Sequence, residues 1–294
     1  FLAGLVVCFA LATVYLLSVR TVRKESDMKR ITSARCINCI PEVVPKKRSN
    51  NKKLKLLITN KRIDWGFKQS ILMIQSRLQQ IMRRTGDKVL LITSTIPAEG
   101  KTMTSVNMAL AFAQEGMKVA LLDGDLRKPS VSELMKLPEG PGLTEYFRGE
   151  STPEEIQVVK DGVTFFRAGQ KKGKVSGLID EEKMNSLLEK LRKEYDVILM
   201  DAAPSYVFSD AMILSSYADK VLYVVRVDKA DAKEIRVGMN SFEEKEKLIG
   251  YVINRDTGGY ISQSGYGYGR YGKYQKYRKY AELDEETMNT EDTL

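Results

Sequence analysis

The chain has 294 residues, of which 43% are hydrophobic, and this is enough for one sizeable folded domain with additional segments. Its net charge is +9, and it contains no histidine and three cysteines, Cys8, Cys36 and Cys39. One CxxC pair in a chain without histidine supplies at most half of a zinc site. The composition therefore argues against a zinc-dependent protein, a disulfide-stabilised protein and a redox enzyme.

The first segment of the chain is apolar. Residues 1–19 contain no charged residue, and a membrane-spanning helix needs about 20 residues. Basic residues follow this segment instead of preceding it, unlike in a secretory signal peptide. We therefore predict a transmembrane helix at 1–19, with a hydrophobic core helix as the alternative. The positive-inside rule then places the rest of the chain in the cytoplasm.

A basic segment follows. Residues 20–63 contain fourteen Lys and Arg against three acidic residues. Next to a membrane helix, such a segment is attracted to the anionic headgroups of the cytoplasmic leaflet, so we predict a basic juxtamembrane linker at an anionic membrane surface. Nucleic-acid binding is the weaker alternative because the segment is tethered to the apolar helix. We expect no nucleic-acid partner.

Residues 64–258 have the pattern of an α/β domain. Phe67, Ile71, Ile74, Leu78 and Ile81 recur at helical spacing and predict an amphipathic helix. Short apolar runs then alternate with helical segments, at 88–93, 118–123, 163–166, 196–201, 220–225 and 248–253. Runs without polar alternation are typical of a parallel sheet covered by helices on both faces. Ligands of such sheets bind at the carboxyl ends of the strands.

A phosphate-binding loop follows the first of these runs. Residues 95–102 fit the pattern GxxxxGK[ST] except that Thr95 replaces the first glycine. The loop lies between a predicted strand and a predicted helix, where backbone amides bind phosphate oxygens. Lys101 is predicted to reach the terminal phosphates and Thr102 to coordinate Mg²⁺. The predicted ATP contacts of this loop are Ala98, Glu99, Gly100, Lys101, Thr102 and Met103.

Aspartates end two other runs. Asp123 and Asp125 follow the second run and are predicted to lie beside the phosphate loop, although a solvated turn is the alternative. Asp201 ends the fourth run. A buried carboxylate is unfavourable without a metal ion or hydrogen bonds, so Asp201 and Thr102 together predict a Mg²⁺ site.

Three stretches of the sequence carry a resemblance to a known family. They are "STIPAEGKT", "LLDGDLRKP" and "ILMDAAPSYVFSDA", and they resemble the Walker A, A′ and B motifs of the bacterial tyrosine kinases of capsule and exopolysaccharide synthesis. The resemblance implies a P-loop NTPase-type fold and an ATP- and Mg²⁺-dependent protein-tyrosine autokinase. The membrane segment with its basic linker resembles the end of the family's membrane adaptor.

The resemblance also implies roles for individual residues. Asp123 is expected to accept the tyrosine proton, Asp125 to support it or to hold metal-bound water, and Lys101 to bind phosphate. Asn254 is expected to contact adenine. The implied metal ligands are Thr102, Asp123 and Asp201.

The C-terminal segment 259–294 cannot form a core. It combines glycines, basic residues and a tyrosine cluster, and it ends in a stretch with six acidic residues, so we predict disorder. The resemblance implies that the tyrosines are phosphorylated by neighbouring subunits; the alternatives are a low-complexity tail or a segment that binds an acidic partner. The predicted phosphorylation sites are Tyr266, Tyr268, Tyr271, Tyr274, Tyr277 and Tyr280.

The expected partners follow from the same resemblance. They are further copies of this chain, membrane proteins of polysaccharide polymerisation and export, and a cognate tyrosine phosphatase. The expected location is the cell membrane, with the kinase domain on its cytoplasmic side.

The competing class is a switch or scaffold without kinase activity, similar to the ParA and MinD ATPases. Those proteins usually carry a lysine near the start of the phosphate loop, where this chain has Ser94, Thr95 and Ile96. Two departures from the kinase pattern are also visible. Ala203 stands where a proline is common. Trp65, Lys68 and Ile71 stand where related kinases tend to have one Glu and two Arg for ring assembly.

Overall fold

The structure, a computed structural model, describes residues 4–5, 8–9, 21–43, 56–170 and 177–256. Among these residues, no helix is both long and apolar enough to cross a membrane. Most of segment 1–19 lies outside the described residues, so the predicted transmembrane helix stays a prediction. Segment 259–294, with its tyrosine cluster, also lies outside the described residues, so its predicted disorder and phosphorylation sites stay predictions.

Eight helices and eight strands have their bounds within the described residues. Residues 4–5 and 8–9 are helical as well. The helices are α1 (Glu25–Met28), α2 (Trp65–Thr85), α3 (Lys101–Gln114), α4 (Val131–Met135), α5 (Leu143–Arg148), α6 (Glu181–Glu194), α7 (Asp210–Tyr217) and α8 (Ala232–Glu243). The strands are β1 (Cys36–Pro41), β2 (Val89–Ser94), β3 (Val119–Asp123), β4 (Gln157–Lys160), β5 (Val163–Phe166), β6 (Val197–Asp201), β7 (Lys220–Arg226) and β8 (Leu248–Asp256).

All eight strands belong to one sheet, in the order β1-β8-β7-β2-β6-β3-β5-β4. Every neighbouring pair is parallel except β4 and β5, which are antiparallel. The six predicted apolar runs all form strands of this sheet, so the predicted parallel α/β architecture is confirmed. The carboxyl ends of β2, β3 and β6 lie side by side.

Helices cover both faces of the sheet. Leu222 and Val224 of β7 belong to one hydrophobic cluster with residues of α2 and α3. Tyr223, between them, points to the other face, where its ring lies 6.2 Å from the ring of Phe242 in α8. Strands that are buried on both faces need continuous apolar residues, which explains the runs in the sequence.

Helix α2 is the amphipathic helix that the sequence predicts. It begins after Asp64, whose carboxylate accepts a hydrogen bond from the backbone N–H of Gly66 at 2.8 Å. It ends at Gly86, which has a φ of 75° that glycine adopts without strain. Ile71 is fully buried in the core, so this position of the family's ring-assembly pattern presents no side chain to a neighbouring subunit.

Strands β1 and β4 have no counterpart among the predicted runs. Strand β1 lies inside the segment 20–63 and pairs in parallel with β8, with Asn38 opposite Val252. The residues before it also contact the domain, since the backbone N–H of Asp228 donates to the carbonyl of Val22 at 2.9 Å. This segment is therefore not a linker throughout, and the folded domain begins before the predicted boundary at residue 64.

Candidate nucleotide-binding and catalytic site

The phosphate loop connects β2 to α3. Ala98 and Gly100 have φ values of 69° and 97°, which turn the chain into the helix. No side chain caps α3, and Lys101, Thr102 and Met103 form its first turn. The backbone N–H groups of a first helical turn have no acceptor within the helix, so they are available to an anion. The predicted loop contacts thus lie in one turn with the geometry of a phosphate site.

The side chain of Glu99 supports this loop from inside the protein. It is fully buried, and it accepts hydrogen bonds from the backbone N–H of Ile96 at 2.8 Å and of Arg226 at 3.2 Å. Burial raises the pKa of Glu99 to about 7, although the hydrogen bonds act in the opposite direction. Its carboxylate therefore connects the loop to the end of β7, and only its backbone remains for a phosphate contact.

Asn254 supports the same loop from β8. Its side chain is buried, and Nδ2 donates to the carbonyl of Glu99 at 2.7 Å. A side chain at Gly100 would clash with this amide, so the close approach requires glycine there. The family resemblance assigns Asn254 to adenine, and that assignment stays a prediction. In the structure its amide holds the backbone of the phosphate loop.

Lys101 lies between two carboxylates. Its Nζ is 2.7 Å from Asp125 Oδ2 and 3.4 Å from Asp201 Oδ2, and all three residues are buried. Burial lowers the pKa of Lys101, but the charges of Asp201 and Asp125 outweigh it and hold the pKa above its ordinary value. The lysine is therefore charged and held where the terminal phosphates of a nucleotide on this loop are expected.

Thr102 contacts the same carboxylate. Its Oγ1 donates to Asp201 Oδ2 at 2.6 Å, so two of the three predicted Mg²⁺ ligands lie side by side. Burial raises the pKa of Asp201, and the charge of Lys101 opposes this shift. Among the described residues, no group of three or more His, Cys, Asp or Glu is arranged to ligate a metal ion. Mg²⁺ typically binds one or two carboxylates together with substrate phosphates, and the Thr102–Asp201 pair fits that pattern.

Asp123 lies on the strand next to Asp201 and in register with it. It is fully buried, and its Oδ2 accepts from the backbone N–H of Val131 at 3.1 Å. Its Oδ1 is buried without a hydrogen-bond partner. Burial and the charge of Asp201 raise the pKa of Asp123 well above its usual range. A buried carboxylate oxygen without a partner is costly, and such oxygens mark sites that serve a ligand or a reaction.

Two features of the site are not among the predicted residues. Ser105, four residues after Lys101 on α3, donates from Oγ to Asp201 Oδ1 at 3.0 Å. The helical spacing from Lys101 would have indicated this contact.

Arg127 pairs with Asp210 at the start of α7 and lies over the ring of Phe208, 4.6 Å from its centroid. This pair ties the loop after Asp125 to α7, and a spacing of more than eighty residues gives no sequence signal for it.

The sequence of this chain is similar to those of known proteins. A family model of the ParA group, described as NUBPL iron-transfer P-loop NTPase, matches residues 86–231. Tyrosine-protein kinase CpsD of Streptococcus pneumoniae is 34% identical over 184 residues, which cover 58% of this chain and 78% of CpsD. The chain belongs to the bacterial tyrosine-protein kinase family.

Other bacterial tyrosine kinases show the same relationship. YwqD of Bacillus subtilis is 32% identical over 185 residues, which cover 62% of this chain and 77% of YwqD. Ptk of Acinetobacter johnsonii is 27% identical over 198 residues, which cover 65% of this chain. The chain matches only 27% of the length of Ptk, so it corresponds to one part of the longer kinases.

Solved kinase domains have the same fold. The kinase domain of the Escherichia coli tyrosine kinase ETK superposes with a TM-score of 0.68 at 26% identity, over 75% of this chain and 90% of that domain. The BceF tyrosine kinase domain superposes with a TM-score of 0.70 over 81% of this chain and all of that domain, and at 22% identity it supports the fold alone.

Proposed function

We propose that this chain is an ATP-dependent protein-tyrosine kinase that phosphorylates the C-terminal tyrosine cluster of neighbouring subunits. One observation carries this proposal. In a chain of the tyrosine kinase family, Lys101 and Thr102 of the phosphate loop both reach Asp201 within 3.4 Å, and Asp123 and Asp125 lie next to them. Phosphoryl transfer needs mainly positioning and charge neutralisation, which these groups can supply.

ATP binding requires a rearrangement of one ion pair. Lys101 is paired with Asp125 at 2.7 Å. We propose that the terminal phosphates take over this lysine, because a phosphate accepts stronger charge-assisted hydrogen bonds than one carboxylate oxygen. Asp125 keeps its place because its Oδ1 also accepts from the backbone N–H of Lys128 at 3.0 Å. It is then available to orient its neighbour Asp123 or a metal-bound water.

Thr102 and Asp201 are the proposed metal ligands, with Asp123 as a third candidate. When Mg²⁺ is bound with ATP, it neutralises charge on the β- and γ-phosphates. The residues of the chain fix where this happens. Ser105 holds the second oxygen of Asp201, so that its Oδ2 faces Thr102 and the phosphate loop.

Asp123 is the proposed proton acceptor. A tyrosine hydroxyl has a pKa of about 10, so it keeps its proton until the bond to phosphorus begins to form. Burial raises the pKa of Asp123, which makes this carboxylate a better base than an ordinary aspartate. Its Oδ1 has no hydrogen-bond partner, so this oxygen is the one that we assign to the incoming hydroxyl.

The proposed biological role is regulation of the polymerisation or export of a capsular or extracellular polysaccharide. This role comes from the family resemblance. The apolar segment 1–19 and the basic residues after it support a location at the cell membrane, with the kinase domain in the cytoplasm. The proposed partners are further copies of the chain, polysaccharide polymerisation and export proteins, and a tyrosine phosphatase.

Phosphorylation would change the charge of the tail strongly. The stretch 264–280 contains five basic and no acidic residues. Each phosphate adds about −1.5 to −2 charges, so several phosphates would invert the sign of this stretch. Repulsion between phosphorylated tails would then drive subunits apart, which gives the modification a direct route to an assembly.

The test is to incubate the purified full-length chain in detergent with ATP and Mg²⁺, and to map phosphotyrosine by mass spectrometry. We expect phosphate on the cluster 266–280 in the unchanged chain and none in Lys101→Met or Asp123→Asn. Nucleotide binding without any phosphotyrosine, in a folded and oligomeric chain, would instead indicate a ParA- or MinD-like switch.

A further inference from the structure

The CxxC pair of strand β1 lies on one face of the sheet. Cys36 is in register with Tyr251 of β8 and Cys39 with Ile253, although three positions separate the cysteines and only two separate their partners. A bulge at Ile37 accounts for the extra residue. Residues two apart on a strand share a face, so the bulge brings both cysteines to the face of Tyr251 and Ile253.

The bulge is held by contacts from helix α2 and from strand β8. Arg77 of α2 donates to the carbonyl of Ile37, and Asn38 Nδ2 donates to the carbonyl of Ser70 at 3.2 Å. On the other strand, the backbone N–H of Tyr251 donates to the carbonyl of Arg35 at 2.9 Å. These contacts fix the bulge, and the bulge places both cysteines on one face of β1.

The two thiols differ in access. Cys36 is partly exposed, whereas Cys39 is 7% exposed. A hydrogen bond with Cys36, and then burial, raise the pKa of Cys39 far above that of an ordinary thiol. The hydroxyl of Tyr251 lies in the same cluster, since burial and the neighbouring Cys36 raise its pKa as well. One thiol is accessible to a small oxidant, and the second lies behind it.

We propose that Cys36 and Cys39 form a reversible dithiol–disulfide site that reacts with small disulfides such as oxidised glutathione. The partners of the two cysteines, Tyr251 and Ile253, are two positions apart on β8, and this spacing of roughly 6.6 Å lies near the upper limit of the Cα separation that a disulfide allows. Cytoplasmic disulfides are usually transient and regulatory, so this site differs from a structural bridge. The proposal does not depend on the proposed kinase activity.

The chemistry balances in two exchanges. The thiolate of Cys36 attacks one sulfur of the oxidant, which forms a mixed disulfide and releases one small thiol that takes up the proton from Cys36. Cys39 then loses its proton and attacks the sulfur of Cys36, which releases the second small thiol. Two electrons pass from the two cysteines to the oxidant, and an internal disulfide remains.

The position of Cys36 and Cys39 in the sheet connects a disulfide between them to the nucleotide site. The sheet partner of β1 is β8, and Ile40, next to Cys39, is in register with Asn254. Asn254 is the residue whose amide holds the phosphate loop. Closing the disulfide changes the bulge at one end of this short connection.

The test uses the full-length chain with Cys8→Ser, reduced and then incubated at stepped ratios of oxidised to reduced glutathione. Trypsin cleavage after Arg35 and Lys46 places both cysteines in one peptide, 36–46. After acid quenching and alkylation, we expect this peptide to be about 2 Da lighter than the dithiol form and to carry no alkyl group, with full reversal by dithiothreitol. Two alkylated cysteines at every ratio would overturn the proposal.

Two single variants assign the steps. In Cys39→Ser, we expect the glutathione adduct at Cys36 to accumulate, because no second thiol displaces it. In Cys36→Ser, we expect Cys39 to remain an unmodified thiol because it is buried. A glutathione adduct that persists at Cys36 while Cys39 is present would also contradict the proposal. Circular dichroism of both variants controls for folding.

Discussion

The two ends of the sheet both carry a cluster of charged residues, and the clusters differ in their ratio of carboxylates to cations. At the amino ends of the strands, Asp219 is paired with Arg192 at 2.6 Å and also accepts from the backbone N–H groups of Lys88 and Val89 at 2.8 Å. At the carboxyl ends, Lys101 faces three buried aspartates. The first cluster satisfies its carboxylate, whereas the second leaves Asp123 Oδ1 without a partner.

The pKa shifts follow this difference. Burial raises the pKa of Asp219, but hydrogen bonds from Arg192 and from the two amides outweigh it and hold the pKa below its ordinary value. Burial and neighbouring charge raise the pKa of Asp123 and Asp201. A balanced cluster stabilises the fold, and an unbalanced one is available to a cation, a proton or a phosphate. A functional site and a structural ion pair both consist of charged and buried groups. The surplus of carboxylates over cations distinguishes the functional site.

Lys101→Met should have the largest effect on activity. We expect at least about a hundredfold loss of tyrosine phosphorylation, because the terminal phosphates lose the buried cation that lies between Asp125 and Asp201. Arg192→Met at the other end of the sheet is the matched control. It should keep the phosphorylation rate and lower the free energy of unfolding by about 1 kcal/mol, as expected for a partly exposed pair. Phosphotyrosine quantified over time checks both variants. An equal loss of phosphorylation in the two variants would mean that the two clusters do not differ in function.

Glu99→Gln tests the pH dependence that burial creates at the phosphate loop. Burial raises the pKa of Glu99 from 4.5 to about 7, so the folded state binds the proton more tightly than the unfolded state. Its contribution to stability is therefore largest below pH 4.5 and is lost as the pH rises to about 7. We expect the unfolding free energy of the unchanged chain, relative to Glu99→Gln, to fall by up to about 3 kcal/mol across this window. Urea unfolding at stepped pH measures this difference in unfolding free energy. A difference that does not change with pH would contradict the raised pKa of Glu99.

Asp219→Asn tests the balanced cluster, with the opposite pH dependence. We expect a loss of about 2 kcal/mol in unfolding free energy at neutral pH, because an amide cannot accept all the hydrogen bonds of this carboxylate. The pKa of Asp219 is lowered in the folded state, so its contribution is present above the unfolded pKa and disappears as the pH falls through the folded value. Thermal or urea unfolding checks it, and a neutral variant would show that the cluster contributes nothing.

Asp123→Asn should have a small effect on stability, in the favourable direction. Its carboxyl group is buried, has a raised pKa and leaves one oxygen without a partner, so replacing a group whose ionised form is disfavoured in the folded state should raise the unfolding free energy by about 1 kcal/mol without nucleotide. Phosphorylation should be lost at the same time. Unfolding in urea at neutral pH checks the stability. A destabilised variant would mean that Asp123 is structural.

Much of the fold was readable in the sequence because burial leaves a pattern. All six apolar runs form strands, since strands covered on both faces are mostly apolar. Strand β1 was not readable because Asn38, Pro41 and two cysteines interrupt the apolar pattern inside a basic segment. Strand β4 is short and only half-buried, as an antiparallel edge strand can be.

The site was readable where spacing along the chain determines position. Lys101 and Thr102 at a strand-to-helix turn, and aspartates at strand ends, converge because parallel strands bring their carboxyl ends together. The roles of Glu99 and Asn254 were not readable, because the direction of a buried side chain depends on packing between β7, β8 and the loop. The bulge that aligns Cys36 with Cys39 is likewise a property of pairing between two strands.

The most direct test of the nucleotide site is the effect of Mg²⁺ on ATP affinity, measured with a fluorescent ATP analogue on the full-length chain. We predict that Mg²⁺ tightens binding at least about tenfold in the unchanged chain and in Asp219→Asn, but not in Asp201→Asn, because only Asp201 shares its oxygen with Thr102. An unchanged Mg²⁺ effect in Asp201→Asn, or an equal loss in Asp219→Asn, would contradict the assignment of the metal site to the carboxyl ends of the strands.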